Sequence, residues 1–199
     1  MNIAKTFFVN QKITAFTNVY KIFDSPDGES QGSLAALVRQ KPFAFKEKIE
    51  FFADEDRKNI LFIAEADRTI DLRARYNVVD KTGQTLGVFK KVFGASIGRS
   101  TWELIDNDGK RVALITERDP VIAVLRRVWE FIPIAGSIPV PFRFHFDIKL
   151  PNGEVIGQHT KTTWLRDHYR LELSDQALQL ADERAWWAIA VMLDALQSR

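Results

Sequence analysis

The sequence predicts a mainly β fold: a closed antiparallel β-barrel of about twelve strands around a hydrophobic C-terminal helix, with one further amphipathic helix outside. Three observations lead there. Short strand-like segments bounded by turn residues fill most of the 199 residues. Several of them share one hairpin signature, described below. The run Ala185-Trp186-Trp187-Ala188-Ile189-Ala190-Val191-Met192-Leu193 carries no charge on any side. A helix that is apolar all round is buried in protein or in lipid, and this run ends at Asp194, well short of the roughly 20 residues a bilayer span needs. It is therefore expected to be a core, with Trp186, Trp187, Ile189, Val191, Met192 and Leu193 as its packing residues.

In chain order, a short aromatic lead precedes the strand Val19–Phe23, which runs into the turn cluster Asp24-Ser25-Pro26-Asp27-Gly28. Strands follow at Leu34–Arg39, Ile49–Ala53 and Ile60–Ala66, the last two joined by the charged loop Asp54 to Asn59. Then the hairpin signature recurs. Tyr76 leads to Gly83, Trp102 to Gly109 and Phe146 to Gly153: in each an aromatic residue opens a strand and a glycine closes the turn seven residues later. Glycine supplies the positive φ such turns require. Tyr20 and Gly28 form a looser copy. The spacing between units is irregular, which excludes a solenoid.

Asp119-Pro120 is a helix N-cap followed by proline at the first helical position. Val121, Ile122, Val124, Leu125, Val128, Trp129 and Ile132 then share one face, with Arg126, Arg127 and Glu130 opposite. Pro133, Pro139 and Pro141 interrupt regular structure until Arg143-Phe144-His145-Phe146 resumes a strand. Strands at Val155–Trp164 and His168–Ser174 precede the terminal helix. No linker divides the chain, so residues 1–199 are expected to form one domain. Closure is the arrangement that removes every sheet edge. A barrel of this many strands is too wide for its own side chains to fill, and the apolar helix suits that space. Within it Asp194 is the one acidic residue, expected near a barrel mouth or paired with an arginine.

Composition excludes several classes. A net charge of +2 gives no global basic field for nucleic acid. Zero cysteines exclude disulfides and thiolate metal sites. The start of the chain lacks a signal-peptide pattern, and a cytoplasmic protein is expected.

The aromatic-to-glycine hairpins, the stretch Gly98-Arg99-Ser100-Thr101-Trp102-Glu103-Leu104-Ile105-Asp106, and Asp182-Glu183-Arg184 with the apolar helix after it resemble the tubby C-terminal-like superfamily. Within that superfamily the chain is most similar to the LURP-one-related and phospholipid-scramblase branch, and to its small bacterial members. The resemblance covers nearly the whole chain. It implies a twelve-stranded barrel threaded by its C-terminal helix, a cytoplasmic protein and, in some branches, binding of phosphoinositides or action at membranes. The cysteine-rich segment and proline-rich arm by which scramblases resemble one another are absent here.

Catalytic motifs fail on context. Gly94-Ala95-Ser96-Ile97-Gly98 matches a nucleophile elbow, but a strand follows it where the motif needs a helix. Asp106-Asn107-Asp108-Gly109 looks like a calcium loop, yet Leu104 and Ile115 would stand at two ligand positions. His145, His159 and His168 lack short ligand spacing. No metal and no cofactor is expected, and no enzyme. Lys90, Lys91 and Arg99 around a glycine-rich turn are a candidate phosphate or head-group site. Arg126, Arg127 and Trp129 are a candidate surface for a membrane or a protein partner. The expected function is a non-enzymatic binding module that recognises a phospholipid head group, membrane surface or protein partner on the outside of the barrel. The alternatives are a hollow-barrel carrier, which would need the terminal helix outside, or an enzyme whose site the sequence hides.

Overall fold

Strand pairing follows chain order all the way round. The computed structural model describes residues 1–13, 18–40, 48–66, 75–92, 100–106, 108–119, 121, 145–163 and 167–195. Twelve strands run through them: β1 (Lys5–Ile13), β2 (Asn18–Ser25), β3 (Leu34–Gln40), β4 (Lys48–Phe52), β5 (Ile60–Ala66), β6 (Arg75–Asp80), β7 (Thr85–Val92), β8 (Thr101–Ile105), β9 (Arg111–Glu117), β10 (His145–Lys149), β11 (Val155–Lys161) and β12 (His168–Leu173). Each is antiparallel to its sequence neighbour, and β1 also pairs with β12, Lys5 opposite Leu173 and Val9 opposite Tyr169, so the barrel closes. The aromatic lead is thus a strand, and it is the strand that removes the last edge.

The hairpins are closed as their composition requires. Gly28, Gly83, Gly109 and Gly153 have φ between +73° and +92°, a region open to glycine at little cost. The residue before each turn supplies the brace in two of them. Asp80 Oδ1 accepts from the Thr82 and Gln84 amides, and Asp106 Oδ1 from those of Asp108 and Lys110. In the supposed calcium loop the Asp106 carboxylate is thus engaged in bracing the turn.

Two helices follow the last strand. Helix α1 (Asp175–Leu180) is capped by Ser174, whose Oγ accepts from the Ala177 amide. Helix α2 (Glu183–Ala195) is capped by Asp182, which accepts from the Arg184 amide at 2.9 Å and clasps the Arg184 guanidinium at 2.8 Å. Every residue of α2 from Ala185 to Ala195 is buried. Trp187 meets Phe7 edge-on at 5.3 Å, and Trp186 meets Phe89 at 6.0 Å. A Cβ on Gly87 would lie 3.0 Å from the Ala185 Cβ, so helix and β7 touch there. Each buried tryptophan hides about 200 Å² and contributes about 5 kcal/mol of burial. The Trp186 indole N–H donates to the Ala177 carbonyl at 3.0 Å and so ties α2 to α1. The helix therefore fills the barrel, as the all-apolar run predicts, and the hollow carrier is removed.

Of the expected outer helix, the cap is visible: Asp119 Oδ1 accepts from the Val121 amide at 2.8 Å. The rest of that helix, with Arg126, Arg127 and Trp129, lies outside the described residues. Among the described residues no helix is long and apolar enough to cross a membrane.

Candidate functional site

Neighbouring residues on a strand point to opposite faces, and this separates Lys90 from Lys91. Lys90 is exposed on the outer face of β7. Lys91 follows the inward parity of Phe89 and lies 5.8 Å from the ring of buried Trp102. Arg99 is outside the described residues. The structure therefore places two of the three candidate cations on different sides of the barrel wall.

Two other groupings are assembled by the fold. The first is internal, where α2 ends. The hydroxyls of Tyr20 and Tyr169 donate to the two oxygens of Asp194, Tyr20 at 2.9 Å. The Gln11 amide lies 2.9 Å from the Tyr20 oxygen. With its nitrogen turned toward the carboxylates it donates to Asp167 at 2.9 Å and to Asp194 at 3.3 Å. Lys161 pairs with Asp167 at 2.6 Å. Of the two expectations for Asp194, a place near a barrel mouth or an arginine partner, the second is corrected: two tyrosine hydroxyls take the arginine's role.

Burial and charge together set which groups of this cluster hold protons. Burial pushes the Asp194 carboxyl up to about 6, against the hydrogen bond from Tyr169 and with the Asp167 charge. Burial first, then the Asp194 charge, drives both tyrosine hydroxyls far above their ordinary range, so they remain donors. His159 stacks on the Tyr169 ring at 4.9 Å and 16°. Burial, helped by the charge of His145, lowers its imidazole to about 3. Neither His159 nitrogen has a hydrogen-bond partner among the described residues. Asp194, the tyrosine rings and His159 are all sealed from solvent. The chemistry available to this grouping is holding the helix in place. Among the described residues no set of His, Asp and Glu could hold a metal ion.

The second grouping is on the outer wall. Register sets Lys12 opposite Val19 and Val19 opposite Arg39, one row across β1, β2 and β3. The next row sets Lys21 opposite Leu37. The β4–β5 hairpin adds Glu55 and Arg57 beside them. These residues line a groove of about 340 Å³, with four cations against one carboxylate and Val19 and Leu37 as an apolar floor. Cations that converge over a concave apolar surface suit an anion. A second outer groove of about 370 Å³ includes Glu65, Arg75 and Asp106, and its mixed charge favours no sign. Nothing in the sequence alone marks the basic groove. Its members are scattered from 12 to 57, and only strand register aligns them.

A closed twelve-stranded barrel whose own C-terminal helix is its core is a tubby-like architecture. The chain belongs to the LURP-one-related family, whose model matches residues 34–194. The match begins at β3, so the strands that carry Lys12 and Lys21 precede it. A comparison with curated proteins gives no match.

Proposed function

We propose that this protein is a non-enzymatic binding module that docks on anionic phospholipid head groups through the basic groove of β1–β3. The observation that carries this reading is the groove itself: Lys12, Lys21, Arg39 and Arg57 converge on the outer wall, while α2 occupies the interior. A filled barrel leaves binding to its surface. Cations near an anionic membrane each contribute about 1 kcal/mol, so four in one groove suffice for reversible association. Lys90 on the outer face and the Arg126, Arg127 and Trp129 segment are further candidate contacts. On this reading the protein is cytoplasmic and peripheral to the membrane.

Sedimentation with phosphatidylcholine vesicles, with and without phosphatidylserine, tests it. The expected result is binding that needs the anionic lipid, weakens with salt, and falls in a Lys12→Gln, Arg39→Gln double variant. Equal and negligible binding to both vesicles would remove the reading and favour a protein partner.

A further inference from the structure

The groove already contains an anion of its own. Glu55 Oε1 accepts from Lys21 Nζ at 2.6 Å, and Lys21 sits in the row next to Lys12 and Arg39. The hairpin that delivers this carboxylate is braced. Its ends are joined by the Ala53 amide on the Asn59 carbonyl at 2.9 Å. Asp54 accepts from the Asn59 side chain at 2.6 Å and from the Lys58 amide at 3.3 Å. Arg57 has a φ of +58°, the one positive value outside glycine among the described residues, a conformation an L side chain adopts at a cost of about 1 kcal/mol. The brace fixes the backbone that carries Glu55 and Arg57, and both line the same groove.

We propose that Glu55 is a built-in competitor for the groove, an autoinhibitory contact on Lys21 that an anionic head group must displace. The inference rests on the head-group reading above. Its energetics suit a threshold rather than a block. The Glu55 side chain is 65% exposed and that of Lys21 38%, and ion pairs this open are weak. A head group that reaches Lys12, Arg39 and Arg57 as well gains contacts that Glu55 alone does not make. Isolated single charges gain too little to replace the tethered carboxylate, which selects for a surface dense in negative charge.

The test compares the full chain with Glu55→Gln and Asp56→Asn in sedimentation with phosphatidylserine-containing vesicles. Asp56 is the next exposed carboxylate in the hairpin, beside Lys58 at 3.9 Å and outside the groove lining, so its loss changes net charge equally. The expected result is binding about two- to five-fold tighter for Glu55→Gln than for Asp56→Asn, with no change in thermal midpoint for either. If Glu55→Gln binds no tighter than Asp56→Asn while all three proteins bind, the competitor is overturned and the head-group reading stands. If none of the three binds, both fall.

Discussion

Tyr20 and Asp194 stand 174 residues apart in the chain, and the Tyr20 hydroxyl donates to Asp194 at 2.9 Å inside the barrel. Tyr20 belongs to β2, Tyr169 to β12, and Asp194 to the last turn of α2, so one carboxylate joins the helix end to both sides of the β1 closure. A buried carboxylate without partners is costly, whereas one with two hydroxyl donors is tolerated and fixes the depth of the helix.

That carboxylate gives stability a pH signature. Its folded value is raised from 3.8 to about 6 by burial. A group raised on folding favours the fold below its unfolded value, and that favour is lost as pH rises through the folded one. Asp194 therefore withdraws about 3 kcal/mol in all, most of it as pH climbs from 4 to 7. Asp194→Asn cannot ionise and keeps the shape. Its stability relative to the unaltered chain is expected to improve across that interval, read from denaturant midpoints at several pH values. A constant difference would show that Asp194 does not titrate in the fold.

His159 acts with the opposite sign in an overlapping window. Its folded value is depressed from 6.5 to about 3, so its contribution is full above 6.5 and is lost as pH falls toward 3. His159→Phe keeps an aromatic ring against Tyr169 and removes the titration. The expected outcome is a smaller drop in thermal midpoint between pH 7 and pH 4 than in the unaltered chain. An identical drop would place the acid sensitivity elsewhere.

The helix itself is tested by truncating its rings. Trp186→Ala removes a side chain with no exposed surface, its packing on Phe89 and its hydrogen bond to Ala177. The expected loss is about 3–5 kcal/mol, a large part of a typical total of roughly 5–15 kcal/mol. Trp187→Ala, losing Phe7 and Phe62 as neighbours, is expected to cost a similar amount. A thermal midpoint unmoved by both would mean that α2 is not the core.

What could be read from sequence was what local chemistry decides. The turn glycines announce their hairpins because only positive φ closes them, and the uncharged run of α2 announces its burial. β1 carries no clear strand alternation because its inward face, Phe7, Val9 and Gln11, ends in a polar residue, while Phe8 faces outward opposite Phe23. Gln11 faces inward because Asp167, Asp194 and Tyr20 are there to receive it, a reason visible only in three dimensions. The six residues of α1 are too few for a helical period to stand out in the sequence, despite the Ser174 cap. The basic groove was illegible for the same reason as Gln11: register, set by the whole barrel, brings Lys12, Val19 and Arg39 into one row.

Arg57 allows binding and folding to be pulled apart. Its φ of +58° suits glycine better than any residue with a Cβ, and its guanidinium lines the groove. Arg57→Gly removes one of the four cations there and relieves backbone strain, set against the added freedom of glycine in the unfolded chain. The expected outcome is a stability unchanged or raised by about 0.5–1 kcal/mol, together with weaker sedimentation on phosphatidylserine-containing vesicles. Weaker binding without weaker folding separates the role of the guanidinium in the groove from that of the hairpin backbone. Lowered stability with undiminished vesicle binding would show that Arg57 serves the hairpin alone and that three cations make the groove.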